Sequence, residues 1–154
     1  ILDEEGFLTI TDRKKEMFKT SGGKYIAPQY IENKLKQSRF IEQAMVVGEG
    51  EKMPAAFIQP NFVFVREWLK RHGVSETLSN EALAKDKRVY ERIEQEIERI
   101  NKRLGKWEQV KVFALTPDEW SIDAGHLTPT LKLKRRIILE KYKDMYNTFY
   151  NKES

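Results

Sequence analysis

The chain contains no cysteine, which excludes disulfides and thiolate metal sites and is compatible with a reducing compartment. Histidine is nearly as scarce, and His72 and His126 have no partner at metal-ligand or catalytic-triad spacing, so both read as structural. Paired catalytic carboxylates are also missing. No apolar run is long enough to cross a bilayer, and no signal-peptide pattern is present. There is no strong excess of either charge. Lys and Arg total 28 against 24 for Asp and Glu, a formal +4, which is no nucleic-acid signature by itself but leaves anionic small molecules open as partners. Internal repeats and low-complexity segments are absent as well.

What is present is the composition of a folded domain. Of the 154 residues 40% are hydrophobic and 11% aromatic, enough for a core, while 34% charged residues give a heavily ionic surface. The length is one domain's worth and short for a complete two-substrate enzyme. The first residues, Ile1-Leu2-Asp3, fall in the middle of what reads as a turn and strand, so the chain is expected to be a piece of a longer protein.

In chain order, Phe7 to Ile10 carries β-favouring residues and Glu16 to Thr20 can return as its partner, with Asp12-Arg13-Lys14-Lys15 as a charged turn. Ser21-Gly22-Gly23 would end that strand, because glycine tolerates positive φ. Pro28 starts a helix with Tyr30, Ile31 and Leu35 on its apolar side and Glu32 in its first turns, where a carboxylate suits the helix dipole. Ala44 to Gly48 and Ala55 to Ile58 read as an antiparallel hairpin of buried strands. Asn61 caps a helix that Gly73 stops, and Ser79 opens another. From Lys87 to Leu104, Val89, Ile93, Ile97, Ile100 and Leu104 recur at helical spacing. Val110 to Leu115 is a third strand. A last helix from Leu133 to Phe149 has Ile137, Ile138, Tyr142, Met145, Tyr146 and Phe149 on its buried side. The class is α+β: a small antiparallel sheet of about three strands flanked by helices, plus an N-terminal two-stranded hairpin.

Two stretches carry the functional signal. Asp12 to Glu32, DRKKEMFKTSGGKYIAPQYIE, packs a charge cluster, a double glycine, an X-Pro step and a helix start into one run. Leu127 to Arg136, LTPTLKLKRR, sets Lys132, Lys134, Arg135 and Arg136 between a proline-punctuated loop and a helix. Each is weak alone. A basic run is more often a solvated helix face than an anion site, and Gly22-Gly23 lacks the spacing of a phosphate-binding loop.

Together they are specific. Asp12-Arg13-Lys14-Lys15, Phe18-Lys19, Gly22-Gly23, Ile26-Ala27-Pro28 and Ile31-Glu32 resemble the hinge motif of AMP-forming acyl-CoA synthetases. Leu127 to Lys132 resembles the motif that holds that superfamily's catalytic lysine. The resemblance spans essentially the whole chain as the superfamily's small C-terminal domain, and DRKK, GGKYIAPQ and LTPTLKLKRR look most like the long-chain fatty acid branch.

The resemblance implies a two-step reaction, in which a fatty acid is activated with ATP to an acyl-adenylate and then passed to coenzyme A, with the small domain rotating in between. It makes Lys132 the adenylation lysine, which also binds nucleotide, and Arg13 a ribose contact. Lys15 falls at the hinge, and Ser21, Gly22, Gly23 and Lys24 line the coenzyme A channel. Most of the superfamily has glycine before that lysine, where this chain has Leu131, which leaves Lys134 as a second and weaker claimant. The resemblance further implies a large N-terminal partner domain in the same protein and use of ATP, Mg2+ and coenzyme A by the whole enzyme. None of these is required by this piece alone, which is expected to be inactive. Residues 1–154 form one mobile domain in this reading, with residues 1–25 as hinge hairpin and residues 73–104 as a helical insertion. The setting is cytoplasmic, and the basic, aromatic C-terminus suggests peripheral contact with the inner face of a membrane. The alternative is a basic module binding nucleic acid or acidic lipid, which ranks below because the basic run has no interleaved aromatics and no nucleic-acid motif accompanies it. A third option, a non-catalytic relative kept for interaction, runs against the retained lysine.

Overall fold

The computed structural model describes residues 17–74 and 78–150. Its frame is a three-stranded sheet in the order β3 (Ile41–Val47), β4 (Ala55–Pro60), β5 (Val112–Leu115). Before it come a small hairpin of β1 (Phe18–Lys19) and β2 (Tyr25–Ile26) and helix α1 (Pro28–Leu35). Between β4 and β5 lie α2 (Phe62–Arg71), α3 (Asn80–Lys85) and α4 (Lys87–Asn101), and after β5 come α5 (Arg135–Lys141) and α6 (Lys143–Phe149).

Both faces of the sheet are covered, and the alternation of side chains along each strand decides what goes where. Ala44, Val46, Ala56, Ile58, Phe113 and Leu115 face a core shared with α1, α2, α3 and α4. Met45, Val47, Ala55 and Phe57 face the opposite core, built with Trp120, Ile138, Tyr142 and Phe149. The central strand β4 is therefore buried along its whole length, and this is why Ala55-Ala56-Phe57-Ile58 reads as a continuous apolar run rather than an alternation.

The α+β class and the strand count are as the sequence implies, but the pairing differs at one edge. β3 and β4 are antiparallel, Val47 opposite Ala55, with a bulge between Ile41 and Gln43. β5 joins β4 in parallel, Ala55 beside Val112 and Ile58 beside Leu115. The sheet is mixed rather than wholly antiparallel because the chain reaches β5 by a long helical crossover, which returns it in the same direction. The α3–α4 pair is part of that crossover. Leu83, Ile93 and Ile97 are buried in the first core, and Ser79 and Asp86 cap the two helices with side-chain acceptors.

Other elements shift. The described hairpin pairs Phe18 with Ile26 and Lys19 with Tyr25; the expected strand at Phe7 to Ile10 lies outside the described residues. The last helix breaks at Tyr142, and Ile137 is 44% exposed while Ile138 is fully buried. Tyr142 sits over Phe57 with ring centroids 5.6 Å apart, and its hydroxyl donates to Asp118 at 2.8 Å.

Because Ile93 belongs to the central core, Ile93→Ala should cost about 2–4 kcal/mol in urea unfolding. A loss below about 1 kcal/mol would mean that the α3–α4 pair is a peripheral attachment.

Candidate functional site

The two motif stretches form loops of the same design. In the first, Thr20 N–H donates to Lys24 O and Gly23 N–H to Thr20 O, both at 3.0 Å. In the second, Thr128 N–H donates to Lys132 O at 2.8 Å and Leu131 N–H to Thr128 O at 2.7 Å. Each is a hairpin loop closed by a turn and a following left-handed residue, Gly23 at φ +87° and Leu131 at φ +66°. Thr20-Ser21-Gly22-Gly23-Lys24 and Thr128-Pro129-Thr130-Leu131-Lys132 thus both deliver a lysine at the loop exit. Leu131 is the only non-glycine residue with positive φ among the described residues. A leucine held there costs roughly 1–2 kcal/mol, and that explains in physical terms the preference for glycine before the lysine.

The Lys132 backbone is pinned on both sides. Its N–H donates to Thr128 Oγ1 at 3.0 Å and its carbonyl accepts from Thr128 N–H. Leu127 pairs with Leu133 at the base of the hairpin, and Lys134 N–H donates to His126 O at 2.8 Å. The Lys132 side chain is exposed. A rigid backbone thus presents a cation at the surface. Lys134 occupies the N-cap position of α5 instead, and its backbone carbonyl accepts from Ile138 N–H. Its half-buried place at the helix start separates it from the apex of the loop.

Beneath this hairpin lies His126, almost fully buried. Ser121 N–H approaches Nδ1 at 3.2 Å and Lys141 Nζ approaches Nε2 at 3.0 Å, while the backbone N–H of His126 donates to the backbone carbonyl of Ser121. Burial first, then Lys141, hold its pKa below the usual histidine range against the pull of Asp118. The structural role expected of His126 therefore has a definite form, that of a neutral post under the lysine loop.

Glu32 ties the two motifs together. It is the fifth residue of α1, and its carboxylate points into the protein rather than toward the helix N-terminus as the sequence suggests. Arg135 Nη1 donates to Oε2 at 2.6 Å and Nη2 to Oε1 at 2.8 Å, and Val46 N–H adds a third bond to Oε2 at 2.8 Å. Burial raises the carboxyl pKa, and the hydrogen bond and charge of Arg135 oppose it. The bidentate guanidinium with a backbone N–H is the arrangement that an ionised carboxylate binds best. Sequence reasoning assigned Arg135 to a basic cluster and missed this pair. Its signal was there: a glutamate beside Ile31 and three residues before Leu35, on the apolar side of α1.

The glycine loop is fixed to the β3–β4 turn, with Ser21 N–H donating to Glu51 O at 2.8 Å and Gly50 N–H to Lys19 O at 2.9 Å. Lys24 Nζ lies over the Trp107 ring, 5.3 Å from its centroid. Arg13 and Lys15 lie outside the described residues. Among the described residues no group of three or more His, Asp or Glu side chains is disposed to hold a metal ion. Nor is any helix of the described residues long and apolar enough to cross a membrane. The basic run is split between elements, with Lys132 on the hairpin, Lys134 at the helix start, Arg135 bound to Glu32 and Arg136 exposed in the first turn of α5.

The family model described as AMP-binding enzyme C-terminal domain matches residues 16–154. The chain belongs to this family. As an AMP-binding enzyme C-terminal domain it is 36% identical over 152 residues to the long-chain-fatty-acid–CoA ligase FadD15 of Mycobacterium tuberculosis, covering 99% of this chain and 25% of that protein. It is 35% identical over 149 residues to the long-chain-fatty-acid–CoA ligase 1 of Homo sapiens, covering 95% of this chain and 21% of that one. The chain thus spans about a quarter of the length of the curated relatives it matches. The adenylation domain of a carboxylate reductase from Mycobacterium chelonae shares the fold with TM-score 0.71 at 21% identity, over 90% of this chain and 20% of that one. The Mycobacterium tuberculosis fatty acyl CoA synthetase superposes with TM-score 0.52 at 18% identity, over 85% and 20%.

The left-handed backbone at Leu131 sets an order of stability. Leu131→Val should destabilise the domain by about 1–2 kcal/mol, because a β-branched residue tolerates positive φ worst, while Leu131→Gly should be neutral or better. Urea unfolding of both variants decides; the reverse order would mean that the hairpin does not form.

Proposed function

We propose that this domain is the mobile C-terminal part of a long-chain fatty acid CoA ligase that serves both half-reactions. In the first, a fatty-acid carboxylate oxygen attacks the α-phosphorus of ATP, forming the acyl-adenylate and expelling pyrophosphate. In the second, the sulfur of coenzyme A, having lost its proton, attacks the acyl carbon and AMP leaves.

The observation that carries this reading is the presentation of Lys132, an exposed ammonium on a hairpin whose backbone is pinned by Thr128. An ammonium so held can donate to the carboxylate, the α-phosphate and the ribose where negative charge gathers. A preorganised donor of this kind is worth about 3–4 kcal/mol in a closed site. The larger N-terminal domain supplies the rest of that site, including ATP and the acyl pocket. In this reading Mg2+ enters with the nucleotide. Arg13 binds the ribose in this reading and Lys15 serves as the hinge. After rotation, the loop of Ser21, Gly22, Gly23 and Lys24 faces the pantetheine arm, where absent side chains let the backbone approach closely.

The setting is cytoplasmic, where ATP and coenzyme A are available. Peripheral contact of the C-terminal segment with the inner face of a membrane belongs to this reading and falls to its exposed residues, since Tyr142 and Phe149 pack into the core.

The test separates the half-reactions in the full-length protein. Lys132→Ala should slow adenylate formation, read by pyrophosphate exchange, by about 10²–10³-fold or more, while preformed acyl-adenylate is still converted to thioester at close to the normal rate. Equal loss in both would contradict the role given to Lys132.

A further inference from the structure

The turn between β3 and β4, Gly48 to Pro54, is gripped from two sides. On one side it carries the glycine loop through Ser21 N–H to Glu51 O and Gly50 N–H to Lys19 O. On the other, two tyrosines of the C-terminal segment reach it. The Tyr146 hydroxyl donates to Glu51 Oε2 at 2.7 Å, and the Tyr150 hydroxyl donates to Met53 O at 2.7 Å. The two rings meet edge to face, with centroids 5.1 Å apart. Gly48 completes the fit: at φ +134°, a Cβ there would come within 2.9 Å of Met53 O and 3.0 Å of the Tyr150 hydroxyl.

Glu51 is the node of this arrangement. Its side chain is held by α6, and its backbone carbonyl holds the loop. Burial raises the pKa of both tyrosines, with the Glu51 hydrogen bond adding to it at Tyr146, so both hydroxyls remain donors at neutral pH. The glycine loop needs such an anchor. It closes a hairpin of two residues per strand, and a hairpin that short has little stability of its own.

We propose that Tyr146, acting through Glu51, is a positioning residue for the glycine loop, so that α6 sets where Ser21, Gly22, Gly23 and Lys24 stand when the coenzyme A thiol arrives. This rests on the assignment of that loop to coenzyme A in the proposed function. One C-terminal segment then serves both half-reactions: the lysine hairpin precedes it, and the anchor of the other loop lies near its end.

The test compares Tyr146→Phe, Glu51→Ala and the double variant with the parent full-length protein, and uses Gly23→Val as a direct perturbation of the loop. Pyrophosphate exchange reads adenylation; conversion of preformed acyl-adenylate at varied coenzyme A reads the second step; thermal unfolding checks the fold. Tyr146→Phe and Glu51→Ala should each raise KM for coenzyme A about five- to tenfold, leave exchange within about twofold, and combine with no further loss, as expected for one shared hydrogen bond to a charged acceptor. If Gly23→Val raises that KM and Tyr146→Phe does not, the positioning role is overturned while the loop assignment stands. If Gly23→Val also leaves it unchanged, the loop assignment falls and takes the inference with it. Parallel losses in exchange and thioester formation would likewise overturn it, since they mark a general structural effect.

Discussion

A carboxylate taken out of water must be matched, and the match made by Glu32 organises this domain. Its partners come from two other elements, Arg135 at the start of α5 and Val46 on β3. A buried pair of this kind adds little net stability against an apolar replacement, but breaking one side of it costs several kcal/mol. Its main consequence is therefore geometric. Arg135 follows Lys132 by three residues, so α5 cannot move away from α1 and β3 without leaving a buried charge exposed to a low dielectric. The register of α5, and with it the base of the lysine hairpin, is set from the far end of the chain.

The sheet supplies the second constraint. Helices cover both faces, and the turn at one end of β3 and β4 carries the glycine loop, while the lysine hairpin follows Trp120 of the second core by way of a largely exposed turn at residues 121–125. The two lysine-bearing loops share a backbone design but different supports, Glu51 for one and His126 with Thr128 for the other. This fits the proposal that each loop serves a different reaction step.

Much of this was legible in the sequence, because local rules governed it. Asn61, Ser79 and the spacing of Val89, Ile93, Ile97 and Ile100 marked helices that tertiary packing did not override. The apolar run at Ala55 announced a strand buried on both faces. The parallel edge was not legible, since nothing local to Val112–Leu115 records the direction from which the chain arrives. The break at Tyr142 was hidden for a similar reason: its ring and hydroxyl are claimed by Phe57 and Asp118, far away in sequence. In the site, the motif lysine could be read but its supports could not. Glu32 with Arg135 and Tyr146 with Glu51 join residues 103 and 95 positions apart, and no periodicity encodes such distances. Leu131 is the instructive case, a departure from the usual glycine that the backbone angle makes intelligible.

The central claim is that Glu32 and Arg135 act as one unit, and a double-mutant cycle tests it most directly. Arg135→Met should destabilise this chain in urea by about 3–5 kcal/mol, because it strands the buried Glu32 carboxylate, and Glu32→Leu by less, because the Arg135 side chain keeps 30% of its surface exposed. The double variant should recover much of that loss, giving a coupling energy of at least about 1.5 kcal/mol. If the two single losses simply add, the residues do not depend on each other, and the account of how the motifs are joined is wrong.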